Sequence, residues 1–162
     1  MKNRGFSLTE LLTVLAIITA VGTFAVLGYT AYTPKARILE AFRVLDDYKL
    51  QAMTYYIRNS GFDAAYIIDS EQSGLTHSID LSNDTKYVQQ VKSQSDINST
   101  YILLGAQLVD SYGVASGANY VYIQGEVQGD GRVVWSCGSS TSNTDSVDEQ
   151  LLPAECRGVN LN

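Results

Sequence analysis

The hydrophobic pattern of the chain changes character twice. From Leu11 to Pro34 no residue is charged, in the run LLTVLAIITAVGTFAVLGYTAYTP. A helix needs about 20 mostly apolar residues to cross a bilayer core, so this run is long enough to span one. Its five Thr and two Gly make it milder than an ordinary anchor, and Thr hydroxyls are tolerable in lipid because they bond back to the carbonyl one turn earlier. After Pro34 the pattern becomes one-sided. Ala41, Leu45, Tyr48, Ala52 and Tyr55 recur at spacings of 4, 3, 4 and 3, while Lys35, Arg37, Glu40, Arg43, Asp46, Asp47 and Lys49 take the other faces. That period predicts an amphipathic continuation of one helix over residues 6–60, apolar all round in 6–33 and one-sided in 34–60. Gly61 is the expected C-cap, and at 1.5 Å per residue the helix would be about 80 Å long.

Residues 61–99 lose this periodicity and read as a long connector. Within it, Tyr66-Ile67-Ile68 suggests an edge strand, Lys86–Gln94 a short helix capped by Asp84 or Thr85, and His77 a solvated loop residue. Residues 100–162 then favour a period of two. Thr100–Val109, Asn119–Val127 and Arg132–Cys137 read as strands, and Val121 and Ile123 alternating with Tyr120, Tyr122 and Gln124 suggest a half-buried one. Gln128-Gly129-Asp130-Gly131 reads as a tight hairpin. Asp130 between glycines also hints at a calcium loop, but one carboxylate falls short of the usual ligand set. Ser111–Ala118, with Gly113 and Gly117, reads as a longer loop. Helix, connector and antiparallel strands in that order predict an α+β fold, the sheet lying on the helix stripe.

Composition narrows the function classes. The 162 residues are 45% hydrophobic and 17% charged, with 11 Tyr and 2 Pro, too aromatic for a disordered chain. One His and two Cys are too few for a His/Cys zinc site. The formal net charge of −6 counts against a protein that coats nucleic acid. That charge is unevenly spread, at +3 over residues 1–60 and −9 over residues 61–162, as a stalk and a head in different surroundings would produce. No Ser/His/Asp, Cys/His or phosphate-loop arrangement is present, since GEVQGDG lacks the Lys and helix of a P-loop. Nothing in the sequence calls for catalysis or a cofactor.

Glu10 is the residue that a simple anchor leaves unexplained. A cleaved secretory signal has an apolar core of roughly 7–15 residues and a small-residue cleavage site, whereas this run continues into helical sequence. A plain membrane anchor fits the length, with Lys2 and Arg4 holding that end in the cytoplasm. Neither accounts for a carboxylate at the membrane end of the run, where an acid is expensive unless a cation meets it. Lys2 and Arg4 are the nearest cations on the same chain, and an amino terminus made by cutting after Gly5 would be another.

The string Lys2-Asn3-Arg4-Gly5-Phe6-Ser7-Leu8-Thr9-Glu10-Leu11-Leu12 resembles the class III signal of type IV pilins and pseudopilins: a short basic leader ending in Gly, then Phe, then Glu four residues on, then a long apolar helix. The resemblance implies that a prepilin peptidase removes residues 1–5 by cutting between Gly5 and Phe6 and N-methylates Phe6. It also implies that Glu10 neutralises the amino terminus of a neighbouring subunit as the helix leaves the inner membrane for a filament. Opposite charges meeting in a low-dielectric bundle interact far more strongly than in water, so Glu10 would set register more than stability. Many such pilins carry Pro near the middle of the apolar half, where this chain has Leu27 and Gly28; Tyr29 and Tyr32 match the aromatic pair that follows.

Carriage outside the cytoplasm makes a disulfide between Cys137 and Cys156 the favoured state over two free thiols. Trp135-Ser136-Cys137 with Leu152-Pro153-Ala154-Glu155-Cys156-Arg157 also resembles the disulfide-bounded C-terminal region of type IVa pilins; in the pilin family 61–99 would be the variable loop between stalk and sheet. The implied function is a structural subunit of a type IV pilus, assembling with itself and related minor pilins on an assembly platform and ending in an extracellular fibre. Adhesion and twitching motility follow from the family, and DNA uptake in some members; the acidic head argues against DNA being gripped by its bulk surface, although a tip or groove bearing Lys92, Arg132 or Arg157 could still grip it. The alternative is a pseudopilin acting as an envelope-confined piston in type II secretion. A monomeric anchored binding module is a third reading, and Glu10 speaks against it.

Overall fold

A computed structural model describes residues 7–64, 76–96, 100–109, 119–140 and 145–161, and the side chains of these except Leu27, Thr30, Ala31, Thr76 and His77. Helix α1 spans Leu8–Asn59. It is followed by strands β1 (Thr76–Asp80), β2 (Val88–Ser95), β3 (Tyr101–Leu108), β4 (Tyr120–Val127), β5 (Val133–Ser140) and β6 (Asn160–Leu161), with a 3₁₀ turn at Ala154–Cys156. The fold is α+β. The chain divides into two compact units, residues 1–33 and 34–162, each taken by itself below. The division falls at Pro34, inside the helix, where the ring has no N–H to give the carbonyl one turn earlier.

In the second unit the six strands lie in the order β1-β2-β3-β4-β5-β6. All neighbours are antiparallel except β6, which runs parallel to β5. One face of the sheet covers the helix. Ile38, Ala41, Leu45 and Ala52 are buried against Val88, Val91, Ile102, Leu104, Ala106, Leu108, Val121 and Ile123. The period-2 alternation of β3 and the i, i+3, i+4 spacing of the helix place these residues on facing surfaces. Tyr48 of the stripe packs against this cluster, and so does Tyr56, whose hydroxyl donates to Gly131 O at 3.0 Å and whose ring lies 5.1 Å from that of Phe62; the half-buried Tyr55 is not part of the cluster.

Four expectations need correction. Lys86–Gln94 is not a helix: Val88–Ser95 is strand β2, paired with both β1 and β3. Val88 and Val91 stand three apart, a helical spacing, yet both are buried because a register shift between Val88 and Gln90 resets the alternation. The sheet therefore begins at Thr76, within the stretch read as connector, and His77 lies on β1 opposite Ser93. Strand β4 is not half-buried. Tyr120 and Tyr122 pack on the outer face with Leu103 and Leu161 while Val121 and Ile123 face the helix. The helix ends on Ser60, whose φ of 57° is the left-handed one, and not on Gly61; Ser60 N–H donates to Tyr56 O at 2.8 Å. The Gln128–Gly131 hairpin is present, with Gly131 at φ 79° and the Asp130 carboxylate accepting from Arg132 N and Nε at 3.1 and 2.6 Å. Tyr66-Ile67-Ile68 and the whole loop read at Ser111–Ala118 lie outside the described residues.

At two glycines of the ladder the ring of the residue opposite occupies the space of the missing side chain. Gly105 pairs with Tyr122 and Gly125 with Trp135. A Cβ at either position would come within 2.9 Å of the ring, so the missing side chain is what lets each ring lie flat on the sheet.

Candidate functional site: the helix start and the disulfide-bounded arm

Gly5 and Phe6 lie outside the described residues. The first described turn is organised by Glu10. Its Oε2 accepts the Ser7 N–H at 3.0 Å, so the side chain folds back over the turn as the acidic member of a capping box does. The Ser7 and Thr9 hydroxyls bond each other at 2.8 Å. Sequence reasoning missed this local role, although Ser and Glu three apart ahead of an apolar run is its ordinary signal. The negative charge thus sits in the first turn, at the positive end of the helix dipole.

Beyond Glu10 the apolar run is bare. Leu8–Val26 is long and apolar enough to cross a membrane, and none of it is buried. Leu8 is 73% exposed and Phe24 76%. Four threonines of the run, Thr13, Thr19, Thr23 and Thr33, do not break the apolar surface. Thr13 donates to Glu10 O at 3.0 Å, Thr19 to Leu15 O and Ala16 O at 3.0 Å, Thr23 to Ala20 O at 2.7 Å and Thr33 to Tyr29 O at 2.7 Å. Each hydroxyl proton is satisfied within the helix, as a lipid or protein surround requires. A continuous exposed surface of this kind marks a membrane or protein contact.

In the second unit, Cys137 on β5 is disulfide-bonded to Cys156 in the 3₁₀ turn. The arm they enclose is docked by its own contacts. Val147 and Leu152 are buried in the core, Tyr120 N–H donates to Asp145 O and Val147 N–H to Tyr120 O, both at 2.9 Å, and Arg157 Nε donates to Leu152 O at 2.9 Å. Asp145 also reaches the outer face of the sheet. Lys92 Nζ lies 2.9 Å from its Oδ2 and Tyr122 OH donates to its Oδ1 at 2.6 Å. Burial, then the bond to Asp145 and its charge, push the Tyr122 phenol well above its ordinary range. A cavity of about 450 Å³ between the helix and the arm is lined by Asp46, Lys49, Trp135 and Glu155 among others.

The chain thus presents a bare apolar helix introduced by one carboxylate and a sheet closed by a disulfide-bounded arm. Residues 34–157 match the family model described as Pilin (bacterial filament), and residues 1–26 match the prokaryotic N-terminal methylation motif. The chain belongs to the pilin family, a family of structural proteins whose subunits assemble into filaments.

Among individual proteins, it is 26% identical over 179 residues to the type IV major pilin protein PilE of Neisseria gonorrhoeae, covering 96% of this chain and 94% of that protein. It is 25% identical over 182 residues to a fimbrial protein of Neisseria meningitidis serogroup A, covering 96% and 94%. It is 27% identical over 159 residues to the fimbrial protein EcpC of Eikenella corrodens, covering 97% and 92%.

Proposed function

We propose that this chain is a type IV pilus subunit that loses residues 1–5, begins its mature form at N-methylated Phe6, and polymerises through the apolar part of its N-terminal helix. The observation that carries this reading is the wholly exposed apolar surface of Leu8–Val26 with an acid at its start. In the membrane, lipid covers that surface; in a filament, other subunits do. Glu10 then meets the amino terminus of a neighbouring copy, and a misregistered subunit leaves one charge bare in a low-dielectric surround, which is costly. The prepilin peptidase and an assembly platform are the partners this processing requires, and the fibre is extracellular.

Adhesion and twitching motility fit the subunit better than DNA capture. Residues 61–162 carry a net −9, and three of their four cations are engaged with oxygens of the chain: Lys92 with Asp145, Arg132 with Asp130, and Arg157 with the carbonyls of Leu152 and Gln150, while Lys86 lies over the Tyr87 ring. The test is microscopy of sheared surface material with mass spectrometry of its N-terminal peptide. An abundant thin fibre whose subunit starts at methyl-Phe6 is expected. A chain that still starts at Met1 overturns the processing, and a mature chain confined to the envelope favours the type II secretion pseudopilin. Glu10→Ala is expected to insert in the membrane normally and give few or no filaments; a normal filament yield would refute the role of the carboxylate.

A further inference from the structure

The ring closed by Cys137 and Cys156 encloses 18 residues, and bringing its ends together costs roughly 3 kcal/mol of chain entropy. The structure holds the middle of that ring by a device that does not involve sulfur. Asp145 stands about midway between the two cysteines. Its carboxylate takes Lys92 Nζ at 2.9 Å on one oxygen and Tyr122 OH at 2.6 Å on the other. Lys92 comes from β2 and Tyr122 from β4, both outside the ring. The lysine is itself fixed, with Nζ 3.9 Å above the Tyr120 ring and 5.0 Å from that of Tyr122. The Tyr120 hydroxyl is tied to Gln90 and Gln107 across neighbouring strands. The side chains of Lys92 and Asp145 are only 18% and 29% exposed, so the pair is partly shielded from water and screens less than a surface ion pair. The main chain beside it is bridged to β4 in both directions through Tyr120.

We propose that Lys92, Tyr122 and Asp145 form a clasp that docks the C-terminal arm on the sheet before the disulfide closes, and so sets the effective concentration at which Cys137 meets Cys156. Pinning Asp145 replaces one long loop search by two short ones, and Val147 and Leu152 then lead the chain back over the core toward Cys137. A pre-docked pair of thiols reacts as an intramolecular partner, with an effective concentration fixed by how well the arm is held. The coupling is reciprocal: what the clasp contributes to the bond, the bond contributes to the clasp. The inference does not rest on assembly, and it holds for any exported chain with this head.

The test uses the full chain in detergent micelles, equilibrated in glutathione buffers of graded ratio and quenched by alkylation, with the alkylated thiols counted by mass. The two thiols give up two electrons and two protons, and one glutathione disulfide takes them up to become two glutathione thiols. Asp145→Asn and Lys92→Met are each expected to lower the effective concentration about tenfold, and Tyr122→Phe about threefold, in line with the loss of charge-assisted hydrogen bonds. The double variant Lys92→Met with Asp145→Asn should fall little further than either single, since the groups act as one unit. Arg132→Ala, which removes the exposed ion pair at the hairpin tip, should stay within about twofold of the parent. The clasp is overturned if Asp145→Asn and Tyr122→Phe also stay within about twofold, or if Arg132→Ala falls as far as they do. Should Asp145→Asn fail to fold, Tyr122→Phe decides, because it removes only a hydroxyl.

Discussion

Gly138→Ala is the substitution the structure judges most sharply. Gly138 pairs with Tyr122 on one side and meets the returning arm on the other. A Cβ built there would lie 2.1 Å from Val159 O and 2.9 Å from Val159 C and Cβ. These are mainly backbone atoms, and they have little room to retreat. Ser139 N–H donates to Val159 O at 3.0 Å, the disulfide anchors Cys156 three residues earlier, and Leu161 is buried two residues later. The cheapest accommodation is to peel β6 from β5. That forfeits a hydrogen bond between half-buried residues, about 1 kcal/mol, and exposes Leu161, about 1.5–3 kcal/mol. The expected loss is therefore roughly 2.5–4 kcal/mol, or roughly 5–16 °C in Tm for a chain of this size. Trp135 is the only tryptophan and packs against the core, so its fluorescence follows urea unfolding of the full chain in detergent. Gly129→Ala is the control, because nothing lies within 4 Å of a Cβ there, and it should cost less than about 0.5 kcal/mol. If Gly138→Ala unfolds within about 0.5 kcal/mol of the parent, or no earlier than Gly129→Ala, the packing argument for the arm is wrong.

Three further outcomes follow from the same contacts. Leu45→Ala deletes a fully buried side chain from the helix stripe and should cost about 2–5 kcal/mol in chemical denaturation, whereas Leu50→Ala, on the exposed face, should cost under about 0.5 kcal/mol. Replacing Cys137 and Cys156 together by Ser should lower stability by about 2–4 kcal/mol and leave the helical circular dichroism signal in place; loss of that signal would show that the arm is needed for the helix as well. Alkali should act in part through Tyr122, whose phenol is raised by burial and by the bond to Asp145, beside Tyr48 and Tyr120, which burial raises as well. The unfolded phenol ionises near pH 10 while the folded one keeps its proton, so the unfolded chain binds fewer protons above about pH 10 and stability falls as pH rises. Stability should accordingly be insensitive to this group below about pH 9, and Tyr122→Phe should flatten the alkaline decline by at most about 1.4 kcal/mol per pH unit. An equally steep decline in Tyr122→Phe would refute the assignment.

The features that sequence conveys best here are those set by local chemistry. An uncharged run of this length must be covered by lipid or protein whatever the head does, so the apolar helix could be read at once. The same holds for the amphipathic stripe, because a 3.6-residue period has one geometric meaning, and for the hairpin at Gln128–Gly131, because Gly131 supplies the positive φ of the turn. The spacing of Glu10 from Gly5 and Phe6 gave the family from a dozen residues, and the model match over residues 34–157 comes from the rest of the chain.

What could not be read locally was decided by neighbours in space. Strand β2 is polar, and its Val88 and Val91 mimic a helix; only pairing on both sides and a bulge make VQQVKSQS a strand. Tyr120 and Tyr122 looked like the wet face of β4 until Leu103, Leu161 and the returning arm covered them. The partnership of Lys92 with Asp145 spans 53 residues, and no period in either segment announces it. The sequence alone determined which surfaces must be hidden from water, because hydrophobicity and spacing are properties of the chain itself. Only the tertiary structure decided which surface hides which, because that choice depends on register and on contacts between residues far apart in the chain.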